Sequence, residues 1–136
     1  MRTEVYVDTS AFIAFLDLSE AHHDLFARLF SDPPRLVTTT LVIAEGHAWF
    51  LKRYDRRRAL RFLSFIDDLA PLRVTAVGED ELRGARRYVD KFADQDLTLT
   101  DAVGLLIQRR HAVRVCWSTD RHLALTGVPL VIHERG

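Results

Sequence analysis

The stretch VYVDTS, at residues 5–10, decides the fold, because a short apolar strand runs directly into a carboxylate and two hydroxyl side chains. In open α/β sheets, ligands bind outside the carboxyl ends of the strands, so Asp8 is a candidate residue of a catalytic or ligand-binding site. An Asp at this position is also typical of a helix start, where it accepts hydrogen bonds from the first turn. The stretch alone leaves both interpretations of Asp8 open.

Length and composition indicate one folded unit. The chain has 136 residues, of which 48% are apolar, so it can bury a core of its own and we expect a single domain over residues 1–136. Nineteen basic residues balance nineteen acidic ones. This balance excludes the overall positive field that holds proteins non-specifically on nucleic acid, so any such contact must be local.

The cysteine content and the apolar runs indicate the cellular compartment. A single cysteine, Cys116, excludes an internal disulfide and a zinc site built from several thiolates. The apolar runs, such as residues 41–44 and 48–51, are far too short to span a membrane. We therefore expect a cytoplasmic protein with no membrane attachment.

Hydrophobic periodicity divides the chain into alternating strands and helices. The predicted strands are residues 5–7, 36–39, 72–77, 113–118 and 128–132. The predicted helices are residues 12–16, 25–30, 41–53, 56–69, 79–92 and 100–110, with a short one at 120–124. Strands separated by helices imply right-handed crossovers, so we predict an α/β fold with a mostly parallel, five-stranded sheet.

Glu45 is the second acid of interest. Its neighbours one helical turn away are Leu41, Val42, Ala48 and Trp49. We therefore expect its carboxylate to lie buried in an apolar stripe, and buried carboxylates are rare unless they are paired, hydrogen-bonded or bound to metal. Two explanations for such a buried carboxylate remain open: Glu45 belongs to a functional site, or another segment of the chain supplies a partner for its charge.

Two further acids stand at predicted helix starts. Asp101 follows Thr98 by three residues, which matches a capping box, and Asp120 follows the fourth strand. Each is typical of a helix cap. However, Asp8 and Asp120 both end strands, so they share one edge of a parallel sheet. The local pattern does not decide on which side Asp101 lies.

A cluster of these acids predicts a metal site. Converging carboxylates repel one another and raise each other's pKa unless a divalent cation neutralises them. An oxygen-rich site suits Mg²⁺ or Mn²⁺, and no histidine set has the spacing of a zinc site. His122, two residues beyond Asp120, is either polar cover or part of the site.

Four motifs together resemble the motif series of the PIN-domain ribonucleases, especially the VapC-type toxins of bacterial toxin–antitoxin pairs. The motifs are VYVDTSAFIA at 5–14, TTLVIAE at 39–45, LTLTDA at 97–102 and STDRH at 118–122. The resemblance covers almost the whole chain. It implies a three-layer α/β/α sandwich and an acidic site that binds Mg²⁺ or Mn²⁺, with no other cofactor.

The resemblance also implies roles for individual residues. The acidic quartet comprises Asp8, Glu45, Asp101 and Asp120; Asp8, Asp101 and Asp120 hold the metal, and Glu45 orients or deprotonates the attacking water. Supporting residues are Thr9, Ser10, Asp96, Ser118 and Thr119, with Asp94 beside Asp96. Two positions depart from the family pattern: His122 stands where some relatives have an acid, and Leu123 where an aromatic residue is frequent.

The function implied is a metal-dependent endoribonuclease, the toxin of a toxin–antitoxin pair. Its expected partners are an RNA substrate, a cognate antitoxin protein and a second copy in a homodimer. The densest basic cluster, which either contacts RNA phosphates or is plain solvated surface, comprises Lys52, Arg53, Arg56, Arg57, Arg58 and Arg61. The alternatives are a phosphohydrolase with Asp8 as nucleophile, and a catalytically silent protein-binding module.

Overall fold

A parallel sheet forms the middle layer of the molecule. The structure, a computed structural model, describes residues 4–134, so the ends of the predicted domain, residues 1–3 and 135–136, lie outside the described residues. The strands are β1 (Val5–Val7), β2 (Leu36–Thr39), β3 (Leu72–Thr75) and β4 (Cys116–Trp117). They are ordered β3-β2-β1-β4, all parallel, so β1 is central and pairs with β4 on one side.

Helices cover both faces of this sheet. Alternate strand residues point to opposite faces, so Val5 and Val7 join one buried cluster, whereas Tyr6 and Val37 join the other. The first cluster is covered by α1 (Thr9–Leu16), α2 (His23–Ser31), α3 (Thr40–Arg53) and α4 (Arg56–Asp68). The second is covered by α5 (Glu79–Lys91) and α6 (Leu99–Arg110). The predicted three-layer α/β/α sandwich is therefore confirmed.

The predicted fifth strand, residues 128–132, is wrong within the described part of the chain. Leu130 makes a single parallel bridge to Cys116, and Val131–His133 form a 3-10 helix. Pro129 has no N–H group to donate to a ladder, although its carbonyl accepts from the Cys116 N–H at 2.9 Å. The sheet described by residues 4–134 thus has four strands.

A glycine sets the packing of the helix that carries Glu45. A Cβ atom at Gly46 would overlap the ring of Phe62, so only glycine lets α3 approach α4 this closely. Phe62 is fully buried and stacks on Phe50 of α3, with ring centroids 5.7 Å apart. This contact holds α3 closely against α4. Among residues 4–134, no helix is long and apolar enough to cross a membrane.

Candidate metal and active site

The pairing of β1 with β4 brings Asp8 and Ser118 together at the carboxyl edge of the sheet. The Asp8 N–H donates to the Trp117 carbonyl at 3.0 Å. The Asp8 residue is only 3% exposed, and its Oδ2 accepts hydrogen bonds from Ser118 Oγ at 2.9 Å and Ser10 Oγ at 3.0 Å. These two hydroxyls hold the carboxylate in one orientation.

Asp8 occupies the N-cap position of α1, but its side chain makes no capping hydrogen bond. Helix capping therefore does not explain this carboxylate. Its oxygens are directed instead at the end of β4 by the hydroxyls of Ser10 and Ser118.

Asp101 combines a capping role with a position in the acidic cluster. The predicted capping box is confirmed, because the Asp101 N–H donates to Thr98 Oγ1 at 3.1 Å and the Thr98 N–H donates to Asp101 Oδ2 at 3.4 Å. The same Oδ2 lies 3.8 Å from His122 Nδ1. The start of α6 therefore lies at the same sheet edge as Asp8 and Asp120, which the local pattern had left open.

Asp120 and His122 complete a compact group of potential metal ligands. Asp120 Oδ1 accepts from the His122 backbone N–H at 3.0 Å, which confirms the predicted cap, and lies 3.0 Å from the ring Nδ1. Each of Asp101, Asp120 and His122 offers one atom, and these atoms lie within 4.8 Å of one another. His122 is thus part of the cluster and not merely a polar side chain on the surface.

The chemistry of this donor set fits a hard divalent cation. Two of its three donors are the carboxylate oxygens of Asp101 and Asp120, and such oxygens suit Mg²⁺ and Mn²⁺. Asp8 lies outside this group of three within residues 4–134, but the charge of Asp101 acts on it, and Ser118 hydrogen-bonds to both Asp8 and Asp120. One imidazole nitrogen favours Mn²⁺ over Mg²⁺ within that pair, because Mn²⁺ is the softer of the two. Because the three donors lie close together, they can bind one cation at the same time.

Burial and neighbouring negative charge both raise pKa values at this edge of the sheet. Burial and, after it, the charge of Asp101 raise the pKa of Asp8 to about 6, against hydrogen bonds from Ser118 and Ser10 that lower it. Burial also raises the pKa of Asp101, and the charges of Asp120 and Glu45 add to that rise. A bound cation would relieve the part of these rises that comes from the neighbouring carboxylates.

The predicted burial of Glu45 is wrong, because its side chain is exposed. The core face of α3 is formed by Val42, Gly46 and Phe50, and Glu45 lies outside that face. The helix is apolar on several sides, so apolar neighbours at one-turn spacing did not identify its buried side. Glu45 nevertheless borders the cluster, since its charge acts on Asp101.

The supporting residues divide into those that touch Asp8 and those that do not. Ser10 and Ser118 donate to it directly, whereas Thr9 is buried and its Oγ1 has no hydrogen-bond partner in the described chain. Thr119 acts through its backbone N–H, which donates to Ser10 Oγ at 3.0 Å. Asp96 is exposed and lies outside the ligand group found among residues 4–134, as does Asp94.

The sequence interpretation missed Trp49 as a site residue. Trp49 lines two pockets that flank the acidic cluster, one with Ser10 and Thr119 and one with Glu45. The available signal was its position four residues after Glu45, which places both side chains on the same face of α3.

Comparisons with known proteins agree with this geometry. The family model described as PIN domain matches residues 5–128. Ribonuclease VapC26 of Mycobacterium tuberculosis is 28% identical over 116 residues, which cover 85% of each chain.

Solved structures share the fold. The crystal structure of Mycobacterium tuberculosis VapC20, a sarcin-ricin loop cleaving toxin, has a TM-score of 0.83 at 22% identity over 92% of this chain and 96% of that one. A toxin–antitoxin complex from Klebsiella pneumoniae has a TM-score of 0.65 at 16% identity, over 97% of this chain and 100% of that one.

Proposed function

The chain belongs to the PIN-domain family, and on this premise we propose that it is a metal-dependent endoribonuclease that acts as the toxin of a toxin–antitoxin pair. The observation that carries the proposal is the group formed by Asp101, Asp120 and His122 at the carboxyl edge of the sheet, to which Asp8 is linked through Ser118. Burial raises the pKa values of Asp8 and Asp101, and neighbouring carboxylate charges, which a bound cation would neutralise, add to both rises.

Asp8, Asp101 and Asp120 are the proposed ligands of Mg²⁺ or Mn²⁺, and His122 offers a nitrogen donor beside them. Such an ion polarises the phosphate and lowers the pKa of water in its coordination sphere.

The chain's own contribution is to fix the ligand oxygens before substrate arrives. Ser10 and Ser118 restrain the Asp8 carboxylate, and the Thr98 N–H restrains Asp101. The His122 N–H does the same for Asp120 Oδ1. Hydrogen bonds of this kind reduce the reorganisation that binding and reaction require.

Glu45 is the proposed group that orients and deprotonates the attacking water. Its exposed carboxylate is open to substrate and solvent at the border of the cluster. As the water oxygen forms its bond to phosphorus, Glu45 accepts the water proton. The P–O bond to a ribose oxygen breaks, and that oxygen takes a proton from solvent.

Local positive charge beside Glu45 supports an RNA substrate. Lys52 and Arg53 are exposed on α3 and line the same pocket as Glu45. Lys and Arg at such positions neutralise backbone phosphates. The rival phosphohydrolase mechanism is disfavoured because Asp8 is not followed by a second Asp two residues on, where Ser10 stands, and no Lys directly follows Asp120.

The proposed protein partners are a cognate antitoxin and a second copy of the chain, in the cytoplasm. An Arg-bearing or aromatic segment of the antitoxin would enter the acidic cleft, where a cationic group can compensate the charge of the carboxylates. For a homodimer, Leu51 and Leu60 offer exposed apolar surface on α3 and α4. The neighbouring Phe50 and Phe62 are buried in the core and are not available for it.

Incubation of the purified protein with a mixed RNA pool, with and without Mn²⁺ or Mg²⁺, tests the function. We expect cleavage by the parent with metal and none by Asp8→Asn. Asp67→Asn is the matched control, because Asp67 is an exposed carboxylate on α4. Equal cleavage by Asp8→Asn and the parent would refute the site, and so would growth arrest of a host bacterium by both proteins.

A further inference from the structure

Trp49 separates two pockets at the acidic edge of the sheet. The inner pocket, of about 110 Å³, is lined by Ser10, Ile13, Glu20, His22, Trp49 and Thr119. The outer pocket, of about 480 Å³, is lined by Glu45, Ala48, Trp49, Lys52 and Arg53. Trp49 is half-buried, so its indole is held in place yet still presents surface to both pockets.

The indole has a fixed orientation. Its ring packs edge-on against Phe50, with centroids 4.9 Å apart and an interplanar angle of 83°, and against Tyr54 at 6.2 Å. Phe50 is itself buried in the core. A ring held this way is a preformed surface for stacking, because little rotamer freedom is lost when a second ring packs on it.

The inner pocket is linked directly to the metal-ligand cluster. Ser10 Oγ, on its wall, donates to Asp8 Oδ2 at 3.0 Å and accepts from the Thr119 N–H at 3.0 Å. The pocket therefore borders the Asp8 carboxylate through the side chain of Ser10.

Polar groups at the mouth of the pocket suit the edge of a base. Glu20 and His22 are exposed there, and His22 makes no capping hydrogen bond to α2. A carboxylate accepts from the exocyclic amino group of a base. Ile13 and Trp49 also line the pocket, and their apolar surfaces suit the faces of a planar ring.

We propose that the inner pocket binds one unpaired base of the RNA substrate, stacked on Trp49, while the adjoining phosphates run past Glu45 to Lys52 and Arg53. The proposal rests on the function proposed above and adds a base-recognition element to it. The pocket accommodates a single planar ring rather than a helix or strand of a protein, which favours RNA over a protein segment as the occupant. Recognition of a splayed base on an aromatic ring is the common mode for single-stranded RNA.

The test begins with the cleavage site found in the RNA pool, placed in a short single-stranded oligonucleotide. Each nucleotide near the scissile bond is replaced in turn by an abasic one, and KM and kcat are measured with Mn²⁺ for the parent, Trp49→Phe and Trp49→Ala. In the parent we expect one abasic position to raise KM about tenfold, the size of a lost stack. Trp49→Ala should raise KM for the intact oligonucleotide by a similar factor, and the abasic substitution at that position should then cause no further rise. Trp49→Phe should behave like the parent.

The outcomes separate this proposal from the nuclease function. If Asp8→Asn is inactive but Trp49→Ala responds to every abasic substitution as the parent does, the base pocket is refuted and the nuclease function stands. If Asp8→Asn cleaves like the parent, the proposed function itself fails. Thermal unfolding of each variant by circular dichroism identifies any loss that comes from unfolding.

A fluorescence titration gives a readout independent of cleavage. Trp117, the second tryptophan, is 3% exposed, so Trp49 is the tryptophan accessible to RNA. In an Asp8→Asn background with Mn²⁺, the oligonucleotide should quench emission saturably. In the double variant that carries both Asp8→Asn and Trp49→Phe, the oligonucleotide should no longer quench the emission. An undiminished quench in that double variant would contradict the proposal.

Discussion

Ser118 Oγ lies 2.9 Å from Asp8 Oδ2, although 110 positions separate the two residues in the chain. The contact exists because β1 and β4 are adjacent parallel strands that end at the same edge. The same Ser118 hydroxyl also accepts from the Asp120 N–H at 2.9 Å. One serine thus couples the orientations of two proposed metal ligands from opposite ends of the sequence.

Replacement of this serine should weaken metal binding more than folding. In Ser118→Ala, Asp8 loses a donor and the Asp120 N–H loses its acceptor, so we expect Mn²⁺ affinity and kcat/KM to fall about 10- to 100-fold. The free energy of unfolding should fall by only about 1–2 kcal/mol. Calorimetric Mn²⁺ titration measures the first effect. Ser64→Ala, an exposed position on α4, is the control, and equal affinities in the three proteins would contradict this role for Ser118.

Glu45→Gln should separate catalysis from metal binding. We expect kcat to fall about 100-fold or more, because the proposed proton acceptor is lost. The shift of Tm caused by Mn²⁺ should stay as in the parent, because the proposed role of Glu45 is to accept a proton from water and not to bind the metal. Loss of that Tm shift would instead make Glu45 a metal ligand.

The stability of the metal-free protein should depend on pH through Asp8. Its pKa rises from 3.8 to about 6 on folding, so between these values the folded state binds more protons than the unfolded state. Its contribution to stability is therefore lost as pH rises through this window, by up to about 3 kcal/mol. Asp8→Asn should be more stable than the parent above pH 7 and equally stable near pH 4.

Chemical denaturation of both proteins across this pH range, in a chelator, measures the difference. Mn²⁺ should stabilise the parent above pH 6 more than at pH 5, because protons compete with the cation for the carboxylates. A difference between the proteins that stays constant from pH 4 to pH 8 would show that Asp8 ionises normally.

Gly46→Ala should destabilise the fold that positions Glu45. The new Cβ would overlap the buried ring of Phe62, and we expect a loss of about 1–3 kcal/mol despite the better helix propensity of alanine. Gly84→Ala is the matched control on α5, where the Cβ would meet the flexible end of Leu106 at 3.1 Å. Denaturant unfolding of both variants is the measurement, and an equal effect of the two substitutions would contradict the packing argument.

The sequence predicted the features that depend on short spacing and on strand order. The Thr98–Asp101 capping box needs only residues three apart, and Asp8 and Asp120 lie at one edge of the sheet because parallel strands share a carboxyl edge. Both were predicted from the chain alone. The longer helices also agree with the periodicity, whereas β4 (Cys116–Trp117) is much shorter than the predicted strand 113–118 and α1 (Thr9–Leu16) begins before the predicted helix 12–16.

Features that depend on which helix face is buried were not predictable in this way. Glu45 has apolar neighbours on α3, but the tight Gly46–Phe62 approach decides the core face, and it leaves Glu45 exposed. The single bridge at Leu130 also required tertiary information, because an apolar segment of that length is compatible with a strand.

The nature of the RNA ends tests the central claim, metal-dependent attack of water at the acidic cluster, most directly. A defined oligonucleotide cleaved with Mn²⁺ and examined by mass spectrometry should carry a phosphate monoester at the cut, with no 2′,3′-cyclic phosphate at any time, because water rather than the ribose 2′-hydroxyl attacks phosphorus. Asp8→Asn should leave the oligonucleotide intact. A 2′,3′-cyclic phosphate in the parent reaction, or the same products from Asp8→Asn, would contradict the account.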